Sequence, residues 1–480
     1  MTHGVVLGGG VAGLLAAAVL AKQFDAVTVV ERDRFDSRPI DSRPIGSRPI
    51  DIGLELPTAG RAGIEPGADP AGAARSGDRK GAPQSRHAHL LLARGAAAVD
   101  EILPGAIDEL VAAGARKLMM PKDIITFTPF GWLPRFDNQL FLISCQRSLF
   151  ESVLRQRVLG GVAVRSGADA VGLLGDRGRV TGVRLRDRDT GSVSDLDADL
   201  VVDATGAGSK APEWLAALGV AKPAEVVIDA GIRYATRIYQ PPTGLDAFPA
   251  VCVQPDPATA PHGGVVLPVE GGRWIVSLTG MRGHEPPTDE DGFLGFAKGL
   301  RHPLIAEMLA AAEPQGPIRG YAAPPNRVRR FVDVPSFVAI GDAVCTFNPV
   351  YGHGMTVAAL GALALRNGGR QPDVNKVNAD AWALATGQDV RHSGTVAPAQ
   401  NPLDRVRMAY ADRLGAAAAV DPRLAATLLS AYTLVSPLSS LLRPRTVFDV
   451  LFARRTPRSD DRPPISSREA ALVPAAGGER

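Results

Sequence analysis

"VVLGGGVAGLLAAAVLA", residues 5–21, followed by "AVTVVERD" at 26–33, reads as strand, tight turn, small-residue helix and second strand. Gly8, Gly10 and Gly13 fill the GxGxxG spacing, and each has a mechanical task. The first allows a sharp turn, the second lets the backbone approach a pyrophosphate, and the third lets helix and strand pack closely. Val11 and Ala12 lie in the first helical turn, whose N–H groups face the phosphates. Glu31 ends the second strand, where a carboxylate can accept from both ribose hydroxyls, and Arg32 follows it. These residues are the first half of a candidate dinucleotide site on a Rossmann-like α/β domain. They do not choose between a nicotinamide and a flavin dinucleotide.

A second run makes that choice. In "SFVAIGDAVCTFNPVYGHGMTV", residues 336–357, an apolar strand at 336–340 closes on Gly341 and Asp342, and a helix begins near Gly352 and Gly354. Asp342 at a strand's carboxyl end suits a sugar-alcohol hydroxyl, and a glycine-rich helix start leaves backbone N–H groups for a partly anionic ring edge. A flavin has both, with a ribityl chain and a pyrimidine edge that becomes negative on reduction. FAD is long enough to need one helix terminus for each end.

Gly341, Asp342, Pro349, Gly352 and Gly354, together with the opening glycines, resemble the FAD-dependent aromatic hydroxylase and epoxidase superfamily. By that resemblance Asp342 binds the ribityl chain, and the backbone from Gly352 to Met355 holds the isoalloxazine ring. In "CQRSLFESVLRQRV", 145–158, Arg147 looks like that superfamily's cofactor-contacting arginine. One stretch departs from the pattern. The place of an Asp-Gly pair used for flavin and nicotinamide binding carries Thr205-Gly206 in "ADLVVDATGAGSK", with Ser209 and Lys210 retained nearby. Direct nicotinamide docking is therefore open, and NADPH, NADH or a separate flavin reductase remains as the electron source.

Further runs, "QSRHAH" at 84–89, "TPFGWLPRF" at 128–136 and "WLAALGV" at 214–220, resemble bacterial polyether epoxidases of the monensin and lasalocid type. The resemblance covers most of residues 4 to about 360. Gln84, Arg86, His87 and His89 match that family's basic segment, where flavin-side positioning and structural hydrogen bonding are both open. No acid or cysteine accompanies the two histidines, so no metal is expected. Tyr234 in a run of alternating strands, Trp132 and His89 are candidate substrate contacts, with a core role as the alternative for Tyr234.

The resemblance implies a discontinuous FAD-binding domain, 1–225 and 318–370, with an inserted β-sheet substrate domain at 226–317. A helical cap at 371–455 and a disordered tail at 456–480 follow. The repeat "DSRPIDSRPIGSRPI", 36–50, opens a stretch read as a flexible insertion over 36–77, because proline at every fifth residue forbids regular structure.

The implied activity is a monooxygenase that epoxidises alkenes of an apolar polyketide- or terpenoid-like precursor. A flavin hydroperoxide would carry the chemistry, so no catalytic side chain is assigned. Aromatic hydroxylation is the enzyme alternative, although no convincing base for a phenol is visible. A non-oxygenating reductase or redox-responsive binding protein is the other alternative. A flavin halogenase is disfavoured, because none of Trp132, Trp214, Trp274 and Trp382 belongs to a WxWxIP stretch.

Composition agrees with a globular chain. Hydrophobic residues make up 45% and charged residues 21% of the 480, and the net charge is +3. Scattered arginines argue against nucleic acid. Cys145, Cys252 and Cys345 have no CxxC spacing, which fits a reducing cytoplasm. No basic leader precedes residue 4, and no run is apolar over the ~20 residues of a membrane span. A membrane-surface role is left open only by the basic end of the C-terminal helices.

Overall fold

The computed structural model describes residues 1–34, 86–399, 401–453, 462–470 and 472. The expected insertion at 36–77 and Gln84 lie outside them. Five parallel strands form the central sheet, in the order Phe337–Ala339, Leu200–Asp203, His3–Leu7, Ala26–Glu31, Ala163–Ser166. Their valine-rich runs are buried on both faces, as a covered parallel sheet requires, with Val5, Val6, Val201 and Val202 all at 0% exposure. The register sets Leu7 opposite Asp203 and Asp203 opposite Ala339. Three strand ends, and the turns that follow them, therefore share one edge.

Helix Val11–Leu20 buries every residue except Ala12. Its alanines and glycine let it pack closely between the sheet and helices Arg147–Val158 and His353–Arg366.

A seven-stranded mixed sheet stands beside this layer, in the order Glu313–Ala322, Arg233–Gln240, Arg273–Gly280, His262–Val269, Ala250–Val253, Ile124–Thr128, Gly131–Trp132. It draws on more than residues 226–317: Ile124–Thr128 pairs in parallel with Ala250–Val253, and Glu313–Ala322 runs past residue 317. Alternation along Arg233–Gln240 divides its faces. Ala235 enters a core with Trp132, Trp274 and Phe293 beneath helices Glu290–Lys298 and Leu304–Ala311. Tyr234 and Thr236 face the other way, toward the glycine-rich turns.

The expected ribbon between Arg147 and Asp203 is the antiparallel sheet Ala168–Asp176, Arg179–Asp187, Val193–Asp197. Beyond residue 370 the described residues are mainly helical: Gln371–Val377, Ala379–Asp389, Pro402–Ala418, Pro422–Tyr432 and Pro444–Phe452. No helix among the described residues is long and apolar enough to cross a membrane.

The expectation of a disordered tail over 456–480 is corrected at its centre. Ser467–Ala470 is a short helix, and Arg135 grips Glu469 through two bonds of 2.8 and 2.9 Å. Ile465 and Leu472 pack against the core of Trp132, Trp274 and Phe293. A bidentate arginine pair holds a segment in one place better than single charge contacts do, and the Arg135 bond holds the Glu469 carboxyl down to about 2.

Candidate functional site

The first turn is closed to anything larger than glycine. Gly8 has φ +100°, and a Cβ there would lie 2.5 Å from the Ala204 carbonyl oxygen. At Gly13 it would lie 1.8 Å from the Gly8 oxygen. Gly10 caps the helix with no side-chain acceptor, so the N–H groups of Val11 and Ala12 open onto the strand edge. Glu31, 2% exposed, accepts from Gly9 N at 2.7 Å and Asp33 N at 2.9 Å. These bonds seat its carboxylate beneath the turn, and a carboxylate has further lone pairs for a ribose. Arg32 reaches toward solvent, 3.9 Å from Asp33.

The second turn meets the first directly. Gly341, with φ +58°, approaches helix Val11–Leu20 so closely that a Cβ would lie 2.9 Å from Ala12 Cβ. The neighbouring Asp342 is half-buried, and burial raises its carboxyl pKa, an effect opposed by Arg147 and Arg327. No described residue donates a hydrogen bond to that carboxylate. Gly354 stands next to it, its Cβ position 3.9 Å from Asp342 Oδ1. Pro349 opens the 3-10 turn Pro349–Tyr351, Gly352 at φ +67° caps helix His353–Arg366, and Met355 packs against the main core.

Arg147 begins its helix, with Nε donating to Glu151 at 2.8 Å. Its charge acts on Asp342, Tyr321 and His89. His89 Nδ1 lies 2.7 Å from the His87 carbonyl oxygen, and burial followed by the Arg147 charge pushes the ring down to about 3. His87 is likewise lowered to about 4 by burial, then by Arg86. It stacks on Tyr321 at 5.0 Å, with Nδ1 2.8 Å from Thr236 Oγ1. Both rings are neutral near pH 7. Arg86 is exposed.

Arg147, His89 and Asp342 are therefore brought together, with Tyr321 and Arg327, which the sequence reading missed. Arg327 donates to the Ala207 carbonyl and lines a cleft of about 280 Å³ with Gly208, Pro324, Pro325 and Thr346. Alternation along Asn326–Arg330 was the available signal, but it could not say which arginine turns toward the strand ends.

Two candidate substrate contacts are corrected. Trp132 is 1% exposed and packs against Phe127 at 4.6 Å and His302 at 4.8 Å, in the core on the Ala235 face. The strand Gly131–Trp132 pairs at the sheet edge with Ile124–Thr128, which turns the indole into that core. Tyr234 is buried; its hydroxyl donates to Asn348 Oδ1 and accepts from Val350 N at 2.7 Å. It braces the second turn. The variant Thr205-Gly206 turn is also braced from within, since Asp203 accepts from Thr205 N at 2.9 Å and Ser209 Oγ at 2.5 Å.

The arrangement fits FAD. Two helix starts meet at one strand edge, where Gly8, Gly13 and Gly341 leave no room for a side chain, and among the described residues nothing donates to the Asp342 carboxylate beside them. Gly8, Gly10, Gly13 and Glu31 would hold the adenosine half, and Asp342, Gly352, Gly354 and Met355 the flavin half.

No protein-family model matches the chain. Protein Rv3254 of Mycobacterium tuberculosis is 32% identical over 470 residues, covering 91% of this chain and 90% of its own length. Solved structures share the fold at low identity. A flavoprotein/dehydrogenase from Cytophaga hutchinsonii has a TM-score of 0.60 at 17% identity, over 94% of this chain and 96% of its own. The p-nitrophenol 4-monooxygenase PnpA from Pseudomonas putida has 0.56 at 16%, over 95% and 100%. The flavin-dependent brominase Bmp2 has 0.54 at 14%, over 94% and 93%.

Proposed function

The chain belongs to the family of Protein Rv3254, and we propose that it binds FAD non-covalently and works as a monooxygenase that epoxidises alkenes of an apolar polyketide- or terpenoid-like precursor. The observation that carries the cofactor assignment is the Asp342 carboxylate, to which no described residue donates, beside two glycine-built helix starts. Reduced flavin, when bound, supplies the activation of dioxygen. The balance is one alkene, one dioxygen and one reduced nicotinamide plus a proton, giving one epoxide, one water and the oxidised nicotinamide. The nicotinamide acts directly or through a reductase.

The protein's part is to bind, orient and exclude water. Asp342 accepts from the ribityl chain, and the N–H groups at Gly352–Met355 meet the ring edge. The neutral rings of His87 and His89 add no charge beside an apolar substrate. No side chain needs to act as nucleophile, because an alkene supplies its own electron pair. No metal takes part in this scheme.

Two other readings have support in the fold, which also serves a p-nitrophenol 4-monooxygenase and a flavoprotein/dehydrogenase. They are an aromatic hydroxylase and a non-oxygenating flavoprotein. Anaerobic reduction of the purified protein, followed by labelled dioxygen and candidate polyenes or phenols, separates all three. Expected is one labelled atom per oxidised alkene. Label on an aromatic ring supports hydroxylation, and reoxidation without label in any product overturns the monooxygenase reading.

A further inference from the structure

The turn Asn348–Gly352 is held by a buried relay that no motif marks. Asn348 N donates to Asn326 Oδ1 at 2.6 Å, and Asn326 Nδ2 donates to Asp389 Oδ2 at 2.5 Å. The other Asp389 oxygen accepts from the Tyr351 hydroxyl. One carboxylate thus grips the turn twice, directly through Tyr351 and indirectly through Asn326. It is delivered by the last residue of helix Ala379–Asp389 and is 1% exposed. Among the described residues no cation pairs with it. The nearby Asp229 is a like charge, itself bonded to Arg282 at 2.7 Å. A buried acid at a helix C-terminus is a costly way to fill space, which points to a role for its hydrogen bonds.

We propose that Asp389 is a positioning residue for the flavin ring, setting through Tyr351 and Asn326 the placement of the turn Asn348–Gly352 in a way that changes with its own protonation. The proposal rests on the reading of that turn as the ring-binding segment.

Both Asp389 oxygens accept in the ionised form. A proton on Oδ1 must find an acceptor, so the Tyr351 hydroxyl would have to turn round, and a proton on Oδ2 would meet the Asn326 amide hydrogens. Protonation therefore reverses or removes one grip on the turn. Burial, reinforced by Asp229, raises the Asp389 carboxyl to about 7. The groups around it stay fixed in that range. Tyr351 and Tyr234 are raised far above their ordinary value by burial. Tyr432, which donates to the Tyr351 carbonyl at 3.2 Å, is raised too. His392, three residues on, is lowered to about 4 by burial and stays neutral.

The test is FAD affinity and the visible flavin spectrum of the full chain from pH 6 to 8.5. Asp389→Asn keeps an acceptor for Asn326 and offers a donor to Tyr351, so it mimics the protonated acid. For wild type the FAD dissociation constant is expected to change about threefold to tenfold across this range, with a matching spectral shift. Asp389→Asn should be flat and equal to wild type at pH 6. Tyr351→Phe should also flatten the profile, and it decides the matter if Asp389→Asn does not fold. A profile in either variant that parallels wild type, or a flat wild type, overturns the proposal. A folded wild type that binds no FAD at any pH overturns instead the flavin reading on which it rests.

Discussion

The turn at Gly8–Gly13 is braced by backbone and by a side chain of the adjoining strand, whereas the turn at Asn348–Gly352 is braced by side chains from remote elements. In the first, a Gly13 Cβ would meet the Gly8 oxygen at 1.8 Å, and Glu31 bonds Gly9 from the adjoining strand. In the second, Tyr234, Asn326, Asp389 and Tyr432 arrive from two strands and two helices. A backbone-braced turn carries its geometry in a spacing that can be read along the chain. A turn braced by side chains shows only its ends, Gly341-Asp342 and Gly352-x-Gly354, while its supports are scattered.

Substitution should expose this difference most strongly at Gly13. Gly13→Ala sets a methyl against backbone that cannot yield, so a loss of about 3 kcal/mol or more is expected, read as a lowered unfolding midpoint and absent flavin absorbance. Retention of both would show that the first turn bends as readily as the second. Asp342→Ala comes next and should act on the ligand alone. No described residue donates to the carboxylate, so the unfolding midpoint without FAD should hold or rise. FAD affinity should fall roughly 10- to 150-fold, the worth of about 1.5–3 kcal/mol for a bond to a charged acceptor. Equal affinities would remove Asp342 from the cofactor site.

The smallest effect is expected at Tyr234→Phe. It strips a buried hydroxyl from Asn348 and Val350, but Val350 N keeps Asn348 Oδ1 at 3.3 Å. About 1 kcal/mol of stability should be lost, with FAD affinity down several-fold, measurable by denaturant unfolding and by fluorescence titration. A large collapse of substrate turnover at unchanged FAD affinity would instead return Tyr234 to the substrate.

The fold was legible where its causes are local. The valine strands, the alanine helix and the Gly341-Asp342 strand end all follow from runs a few residues long. Residue pairing over long distance was not. Nothing in "DIITFTPFGW" announces that Ile124–Thr128 will join Ala250–Val253 in parallel, and that pairing is what carries Trp132 into a core instead of a cavity. Asn326 and Asp389 were invisible for the same reason, since each is one polar residue in an ordinary strand or helix. The Arg135–Glu469 pair was hidden by the Pro- and Ser-rich sequence around it, which reads as tail until its arginine partner is known.

The approach of Gly341 to Ala12 makes the site a ruler. Because that contact leaves no room for even one added carbon, the second turn is set against the first helix by packing, and the two helix starts would stand at a fixed separation. A mononucleotide would reach one stop and miss the other. On the proposed FAD reading, the chain would measure its cofactor before recognising any atom of it.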